Sequence, residues 1–319
     1  MIENEKTIPQ IHQSVLWAET IELLAAKQGG IFVDCTLGLG GHSELILQSS
    51  PKTQVIGIDQ DLEAIGLAKK RLEKYGERFK VFHANFSQLE SVLEKAEVEK
   101  IDGVLADLGV SSLQLDSESR GFSFRFDAPL DMRMDTSSDD ETVAELLETL
   151  SEFEIARIIY EYGEERFSRR IARRIVERRA NGRSPKTTKE LADLVAHCIP
   201  RNKKDKIHPA TKTFQALRIA VNHELEILET FLQTAIDKLN KNGRLAVISF
   251  HSLEDRIVKR TFQKLSGKCD CPQYLPICIC GAEKKVEILT RKPIVPQEIE
   301  IETNPRARSA KLRACQRLD

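Results

Sequence analysis

No stretch of the sequence approaches the roughly 20 consecutive apolar residues that a membrane-spanning helix requires, so no spanning segment is expected. The start, Met1-Ile2-Glu3-Asn4-Glu5-Lys6, lacks the basic region and apolar stretch of a secretory signal. A cytoplasmic protein is the expectation. Cysteine is sparse, seven in 319 residues, and in that compartment cysteines serve as thiols or metal ligands rather than disulfides. An excess of either charge is also missing, since 48 Lys and Arg against 49 Asp and Glu leave a net charge of −1. That total neither favours nor excludes a nucleic-acid partner; only the distribution of charge is informative. What is present is an ordinary globular composition, 41% hydrophobic and 30% charged. The chain is long enough for two domains of about 100–200 residues each.

Short apolar runs alternate with amphipathic stretches over the first third. The runs are Ile31-Phe32-Val33, Val55-Ile56-Gly57-Ile58, Val81-Phe82 and Val104-Leu105-Ala106. Leu62, Ile65, Leu67, Ala68 and Leu72 recur at near-helical spacing between the second and third runs, as a crossover helix requires. Such alternation predicts βαβ units and a parallel sheet. Leu113 to Asp140 is rich in Ser, Asp and Gly and reads as a long loop, and helical patterns follow from Glu141 to Ile199. A helix carrying Leu225, Leu228, Phe231, Leu232, Ala235, Ile236 and Leu239 then returns the chain to the sheet. After an expected turn at Asn240-Lys241-Asn242-Gly243, Leu245 to Phe250 reads as a further buried strand. Val286 to Thr290 and Ser309 to Leu318 are expected to pair as an antiparallel edge hairpin. The expected organisation is an α/β sheet domain made of residues 1–113 and 213–319, with residues 114–212 as an inserted helical domain.

The segment Phe32-Val33-Asp34-Cys35-Thr36-Leu37-Gly38-Leu39-Gly40-Gly41-His42-Ser43 runs from a strand through a glycine turn into a helix. Glycines there permit positive φ and close approach of a ligand to the backbone. Asp59 ends the next strand, where a carboxylate accepts hydrogen bonds from the ribose hydroxyls of an adenosine cofactor. A dinucleotide fingerprint would place a third glycine where Ser43 stands. S-adenosylmethionine has no pyrophosphate and imposes no such requirement. The alternative is a glycine turn that merely joins strand to helix.

Two further strand ends complete the pocket. Phe86, after the third strand, either stacks on an adenine face or is a buried core aromatic. Asp107 follows the fourth strand, at the edge where open α/β sheets bind ligands. An unpaired buried carboxylate is costly, so Asp107 is the leading candidate for the chemistry or for holding the cofactor. Ser111 and His251 are further candidates, each equally readable as a loop-stabilising residue.

At this point the sequence closely resembles the bacterial 16S ribosomal RNA cytosine-N4 methyltransferases, the MraW or RsmH family. The resemblance is carried by Val33 to Ser43, Ala106 to Gln114, Arg120-Gly121-Phe122-Ser123-Phe124 and Pro129 to Asp135. It continues through His208-Pro209-Ala210-Thr211-Lys212-Thr213-Phe214 to Ile219, Ile248 to Arg256 and Asn304 to Arg313. The resemblance implies a Rossmann-like class I methyltransferase domain with a helical insertion, and S-adenosylmethionine as cofactor. It also implies N4-methylation of the decoding-centre cytosine conventionally numbered 1402, within the small ribosomal subunit. The family's cofactor positions fall on Gly40, Gly41, His42, Asp59, Phe86, Asp107 and Gln114. Amino methyltransferases more widely carry an Asn- or Asp-Pro-Pro-aromatic turn after the fourth strand. Here the turn is Asp107-Leu108-Gly109-Val110, which leaves the residue that stacks on the target base unidentified.

Charge is patterned despite the neutral total. Acids predominate from Asp139 to Glu165, and the sign reverses from Arg166 to Lys189. Arg166, Arg169, Arg170, Arg173 and Arg174 follow a three-and-four spacing that places them on one helix face. Such a stripe either meets a phosphate backbone or pairs with the preceding acidic helix; beside the resemblance, RNA contact is expected. Arg306, Arg308, Lys311 and Arg313 form a second basic cluster. Cys269, Cys271, Cys278 and Cys280 could hold a zinc ion, but the spacing is Cys-x-Cys rather than Cys-x₂-Cys, and reduced loop thiols are expected. Two other functions compete: a nicotinamide-dependent oxidoreductase, disfavoured by Ser43, and a non-catalytic ribosome-assembly factor using the basic helix.

Overall fold

Each apolar run becomes a strand, and all are buried on both faces except Val81-Phe82, whose strand lies at the margin of the sheet and is only half-buried. The computed structural model describes residues 14–200, 207–269, 271 and 283–319. Strands β1 (Gly30–Asp34), β2 (Thr53–Asp59), β3 (Phe79–His83), β4 (Ile101–Asp107) and β5 (Leu239–Ser249) are mutually parallel. β6 (Val286–Ile288) and β7 (Lys311–Arg317) complete one sheet in the order β3-β2-β1-β4-β5-β7-β6, with β7 antiparallel to both β5 and β6. Successive residues enter opposite cores: Phe32, Val55 and Leu105 on one side, Val33, Ile56 and Val104 on the other. This two-sided burial is why the strands read as unbroken apolar runs. The result is a Rossmann-like, mainly parallel α/β sheet.

Helices Trp17–Leu24, Gly41–Ser49 and Leu62–Leu72 supply one core, with Leu24, Ile46, Leu47, Ala68 and Leu72. Helices Leu89–Lys95, Glu224–Lys238 and Ser252–Leu265 supply the other, with Leu93, Phe231, Leu232 and Phe262. Two details differ from the sequence reading. In helix Leu62–Leu72 the residues facing inward are Ala64, Ile65, Ala68 and Leu72, whereas Leu62 and Leu67 are exposed. Ala64, Ile65, Ala68 and Leu72 share one side at helical spacing, and Leu62 and Leu67 fall outside it. The expected turn at Asn240 to Gly243 lies within β5 as an irregularity. Pairing jumps from Ile101–Leu239 to Gly103–Arg244, and the extra residues are accommodated at Asn242, whose φ is 66°.

The chain divides into two compact units, Met1–Gly109 with Leu228–Asp319, and Val110–Ile227. The second unit is helical, and its helices begin where the sequence supplies caps. Thr142, Ser151 and Thr187 each accept from the amide three residues on, and Glu145, Glu154 and Glu190 reciprocate. Helices Val143–Thr149, Glu152–Gly163, Ser168–Ala180, Thr188–Cys198 and Thr211–Val221 enclose a core containing Leu147, Ile155, Ile159, Ile171, Ile175, Leu191 and Phe214. Arg179 donates to the carbonyls of Leu147, Glu148 and Leu150, satisfying the end of the first of these helices. The long Ser/Asp/Gly-rich stretch is irregular after the short helix Ser112–Asp116, but it is well tied. Arg120 donates to the carbonyls of Arg133 and Met134, and Asn222 receives the Met134 amide at 2.7 Å. Among the described residues no helix is long and apolar enough to cross a membrane.

Candidate active site

The C-terminal ends of β1, β2 and β4 are joined through the glycine turn between β1 and helix Gly41–Ser49. The Thr36 hydroxyl accepts the Asp107 amide at 2.6 Å, and the Gly38 amide donates to Asp59 Oδ2 at 2.7 Å. Gly38 and Gly40 take φ of 51° and 77°, a region that strains residues with a Cβ. A Cβ on Gly40 would also come within 3.0 Å of Leu72 Cδ1. The turn is therefore built by its glycines and fixed by two strand-end hydrogen bonds.

Ser43, where a dinucleotide fold would want glycine, is fully buried. Its hydroxyl donates to Asp34 Oδ2 at 2.7 Å, and the Thr36 amide donates to Asp34 Oδ1 at 3.3 Å. Burial raises the Asp34 pKa, against the lowering effect of Ser43, His42 and the Thr36 amide. Sequence reasoning did not single out Asp34. Its signal was available: an acid ending the first strand, nine residues before a serine in the first turn of the helix.

His42 and Asp107 face each other. His42 Nε2 lies 3.6 Å from Asp107 Oδ2, with the His42 side chain 6% exposed and that of Asp107 25%. Among the described residues neither ring nitrogen of His42 has a hydrogen-bond partner, and neither does the buried Oδ1 of Asp107. Buried polar atoms are paired in the great majority of cases, and leaving one unpaired costs about 1–3 kcal/mol. Three such atoms beside a glycine turn are what a site for a polar ligand requires.

Asp59 is half-buried at the end of β2. Besides the Gly38 amide it accepts the Asp61 amide at 2.9 Å. Burial pushes its pKa up to about 6; the two amides oppose the rise and the charges of Asp61 and Asp34 add to it. Each carboxylate oxygen keeps a second lone pair, so two hydroxyls can still be accepted there. Asn85, after β3, caps the turn Phe86–Gln88 and donates to Gln60 Oε1 at 2.9 Å. Phe86 is half-buried, its ring edge-on to Phe231 at 4.9 Å, so it is at least partly a core residue.

The structure thus brings Gly40, Gly41, His42, Asp59 and Asp107 to one edge of the sheet, with Phe86 at the start of the turn that follows β3. Gln114 belongs to the second unit, where it is buried and forms a reciprocal cap with Ser111. His251 does the same for helix Ser252–Leu265: its Nδ1 accepts the Glu254 amide at 3.4 Å. Both Ser111 and His251 have helix-starting roles.

The arginine stripe needs one correction. Helix Glu152–Gly163 ends at Glu164, whose φ is 49°, and the next helix begins only at Ser168. Arg166 therefore lies in the connecting turn, with its guanidinium 4.7 Å from the Phe167 ring centroid. Arg169, Arg170, Arg173 and Arg174 are exposed on helix Ser168–Ala180, opposite the buried Ile171 and Ile175. Arg173 and Arg174 approach Glu152 and Glu177 at 3.7 and 3.2 Å, exposed pairs of little energetic weight. The second basic cluster is split. Arg313 is buried and donates to Asp255 at 2.6 Å, with Lys311 at 3.5 Å from the same carboxylate, while Arg308 is exposed. Cys269 is exposed and Cys271 half-buried; Cys278 and Cys280 lie outside the described residues.

The family model for the MraW methylases matches residues 9–318. The chain belongs to the MraW methylase family. Ribosomal RNA small subunit methyltransferase H of Geotalea uraniireducens is 51% identical, over 96% of this chain and 98% of the relative. The protein of the same name from Clostridioides difficile is also 51% identical, over 96% and 99%. That of Fusobacterium nucleatum is 48% identical, over 98% and 99%. This MraW family member is a methyltransferase, which sets aside both hydride transfer and a purely non-catalytic assembly role.

Proposed function

We propose that this protein transfers the methyl group of S-adenosylmethionine to the N4 amino group of a cytosine in small-subunit ribosomal RNA, the decoding-centre position conventionally numbered 1402. The observation that carries the reading is the pair Asp107, at the end of β4, and His42, in the first turn of helix Gly41–Ser49: among the described residues, Asp107 Oδ1 and both ring nitrogens of His42 are buried without hydrogen-bond partners. The names of the relatives support the RNA substrate, and the strand-end acids and glycine turn support the cofactor.

Bound S-adenosylmethionine supplies a methyl group already activated on a sulfonium. The chain's task is then alignment of donor and acceptor. Gly38, Gly40 and Gly41 leave the backbone of the turn approachable, and the Asp59 carboxylate accepts the ribose hydroxyls. Phe86 would offer the exposed part of its ring to the adenine. The exocyclic amine of cytosine is a weak nucleophile because its lone pair is delocalised into the ring. Asp107 accepts an N–H from that amine through the unpartnered Oδ1, turning the lone pair toward the methyl group. Arg169, Arg170, Arg173 and Arg174, with Arg166 beside them, meet the phosphate backbone. The protein acts in the cytoplasm on RNA within the small subunit.

The test is incubation with methyl-labelled S-adenosylmethionine and small subunits lacking the modification, followed by mass spectrometry of the labelled nucleoside. N4-methylcytosine at the decoding site is expected. Label on another base, or none despite cofactor binding, overturns the substrate assignment. Asp107→Ala is expected to abolish turnover; near-normal turnover with unchanged cofactor affinity would remove Asp107 from the chemistry.

A further inference from the structure

The segment His208-Pro209-Ala210-Thr211 leads into helix Thr211–Val221, and nothing above gives it a part in the reaction. His208 is exposed, yet its ring is held from two directions. The ring centroid lies 4.7 Å from that of Phe124, with the planes 36° apart. Nδ1 accepts the Ala210 amide at 3.2 Å, which leaves Nε2 as the protonated nitrogen of the neutral ring. Phe124 is itself half-buried and meets Phe214 edge-on at 5.0 Å. Phe214 is buried in the core of the helical unit. Three rings therefore run as a column from core to surface, all within one unit, with an imidazole at the outer end.

Holding an exposed side chain in one geometry forfeits rotamer freedom without the gain of burial. That arrangement is what a binding surface ordered in advance of its ligand requires. The neighbours fit a nucleic acid. Arg125, next to Phe124, is exposed and its guanidinium pairs with no acid among the described residues. Ile207, next to His208, is 68% exposed and extends the apolar area. Unpaired RNA bases are recognised by stacking on Phe, Tyr, Trp or His, with cations beside them taking the phosphates.

We propose that His208, backed by Phe124 and Phe214, is a stacking platform for an unpaired nucleobase of the RNA substrate, with Arg125 meeting an adjacent phosphate. The inference rests on the RNA-methyltransferase reading above and adds a substrate-binding site remote in sequence from the arginine helix.

The experiment compares wild type, His208→Ala and His208→Phe in two measurements. One is steady-state methylation of unmodified small subunits; the other is anisotropy binding of a fluorescent single-stranded oligoribonucleotide spanning the decoding-site cytosine. Cofactor affinity and melting temperature are recorded for each variant. Loss of one base stack weakens binding by roughly five- to a hundredfold. His208→Ala is expected to raise the subunit KM and the oligonucleotide Kd by about tenfold within that range. Its kcat and cofactor affinity stay unchanged, its melting temperature falls by no more than loss of the Ala210 hydrogen bond and the Phe124 contact explains, and His208→Phe restores RNA affinity. Unaltered KM and Kd in His208→Ala overturn the platform, as does a phenylalanine variant no better than alanine. A wild type that fails to methylate subunits, while His208→Ala still loses oligonucleotide affinity, refutes the proposed reaction and keeps the platform.

Discussion

Cofactor affinity should depend on pH through Asp59, and the size of the effect follows from the site. The Asp59 pKa is raised to about 6 because burial penalises its charge more than the Gly38 and Asp61 amides relieve it. A rise of about 2 units corresponds to about 3 kcal/mol against ionisation in the free protein. An ionised carboxylate can accept both ribose hydroxyls, whereas a protonated one presents a donor where one hydroxyl must donate. Cofactor binding therefore takes the ionised form. Affinity is expected to be flat above pH 7 and to weaken about tenfold by pH 5, where only about a tenth of Asp59 is ionised. Calorimetry with S-adenosylhomocysteine between pH 5 and 8, in buffers of different ionisation heat, reads both the affinity and the proton released. Asp59→Asn is expected to bind weakly and without this slope. A slope that persists in Asp59→Asn would assign the proton to another group, Asp34 first, and refute the reasoning. The ligand-free protein responds in the opposite direction. A raised carboxyl pKa contributes stability that is present below about pH 4 and is lost as pH rises through about 6.

Other expectations follow from particular contacts. Ser43→Ala leaves the buried Asp34 without its side-chain donor and should cost about 1–3 kcal/mol in urea unfolding; an unchanged midpoint would show that the pair contributes nothing. Arg179→Ala removes a guanidinium that satisfies three carbonyls and should destabilise the helical unit by about 2 kcal/mol, read as a lower melting temperature. Arg169→Glu with Arg173→Glu should weaken RNA binding and lower the slope of log affinity against log salt by about 2. An unaltered slope would make the stripe a solvated face.

How much of this was legible in the sequence depends on how many residues each signal engages. The strands were legible because two-sided burial leaves continuous apolar runs such as Val55 to Ile58. The antiparallel pair was legible instead from short segments in which apolar and polar residues mix, Val286-Glu287-Ile288 and Lys311 to Arg317, although β7 sits between β5 and β6 rather than at the margin. The inward face of helix Leu62–Leu72 was not, because apolar residues occur on more than one side of it and only packing against the sheet decides which side faces in. The end of helix Glu152–Gly163 depends on one left-handed residue, Glu164, of a type that carries no signal for that conformation, and so Arg166 was placed on the wrong element. Helix starts were written in Ser/Thr-x-x-Glu pairs, a signal that was available but not used. At the site, the glycine turn, Asp59 and Asp107 were visible by position along the strands. Asp34 was passed over although it too ends a strand, because the contact with Ser43 that makes it matter joins two elements.

Charge distribution at the strand ends bears on which adenosine ligand the site takes. Asp34, Asp59 and Asp107 converge there from three strands. Arg71, the basic side chain that reaches the turn, donates to the Leu39 carbonyl and is paired with Glu44 at 2.7 Å. A helix N-terminus alone attracts anions, but Asp59, mostly ionised at pH 7, sets a full negative charge against its roughly half charge, while burial disfavours charge on Asp34. A pyrophosphate would be brought up against carboxylates in a desolvated setting, where like charges repel strongly. A ligand carrying a sulfonium and an ammonium finds the opposite situation. On the reading proposed here, the same acids favour release after transfer, because the product has lost the sulfonium charge while its ribose and adenine contacts are unchanged. Selection of a cationic cofactor over a dinucleotide is then a property of the strand-end acids as much as of the missing third glycine. Ser43 serves both, since it occupies the glycine position and keeps the deepest of the three acids hydrogen-bonded.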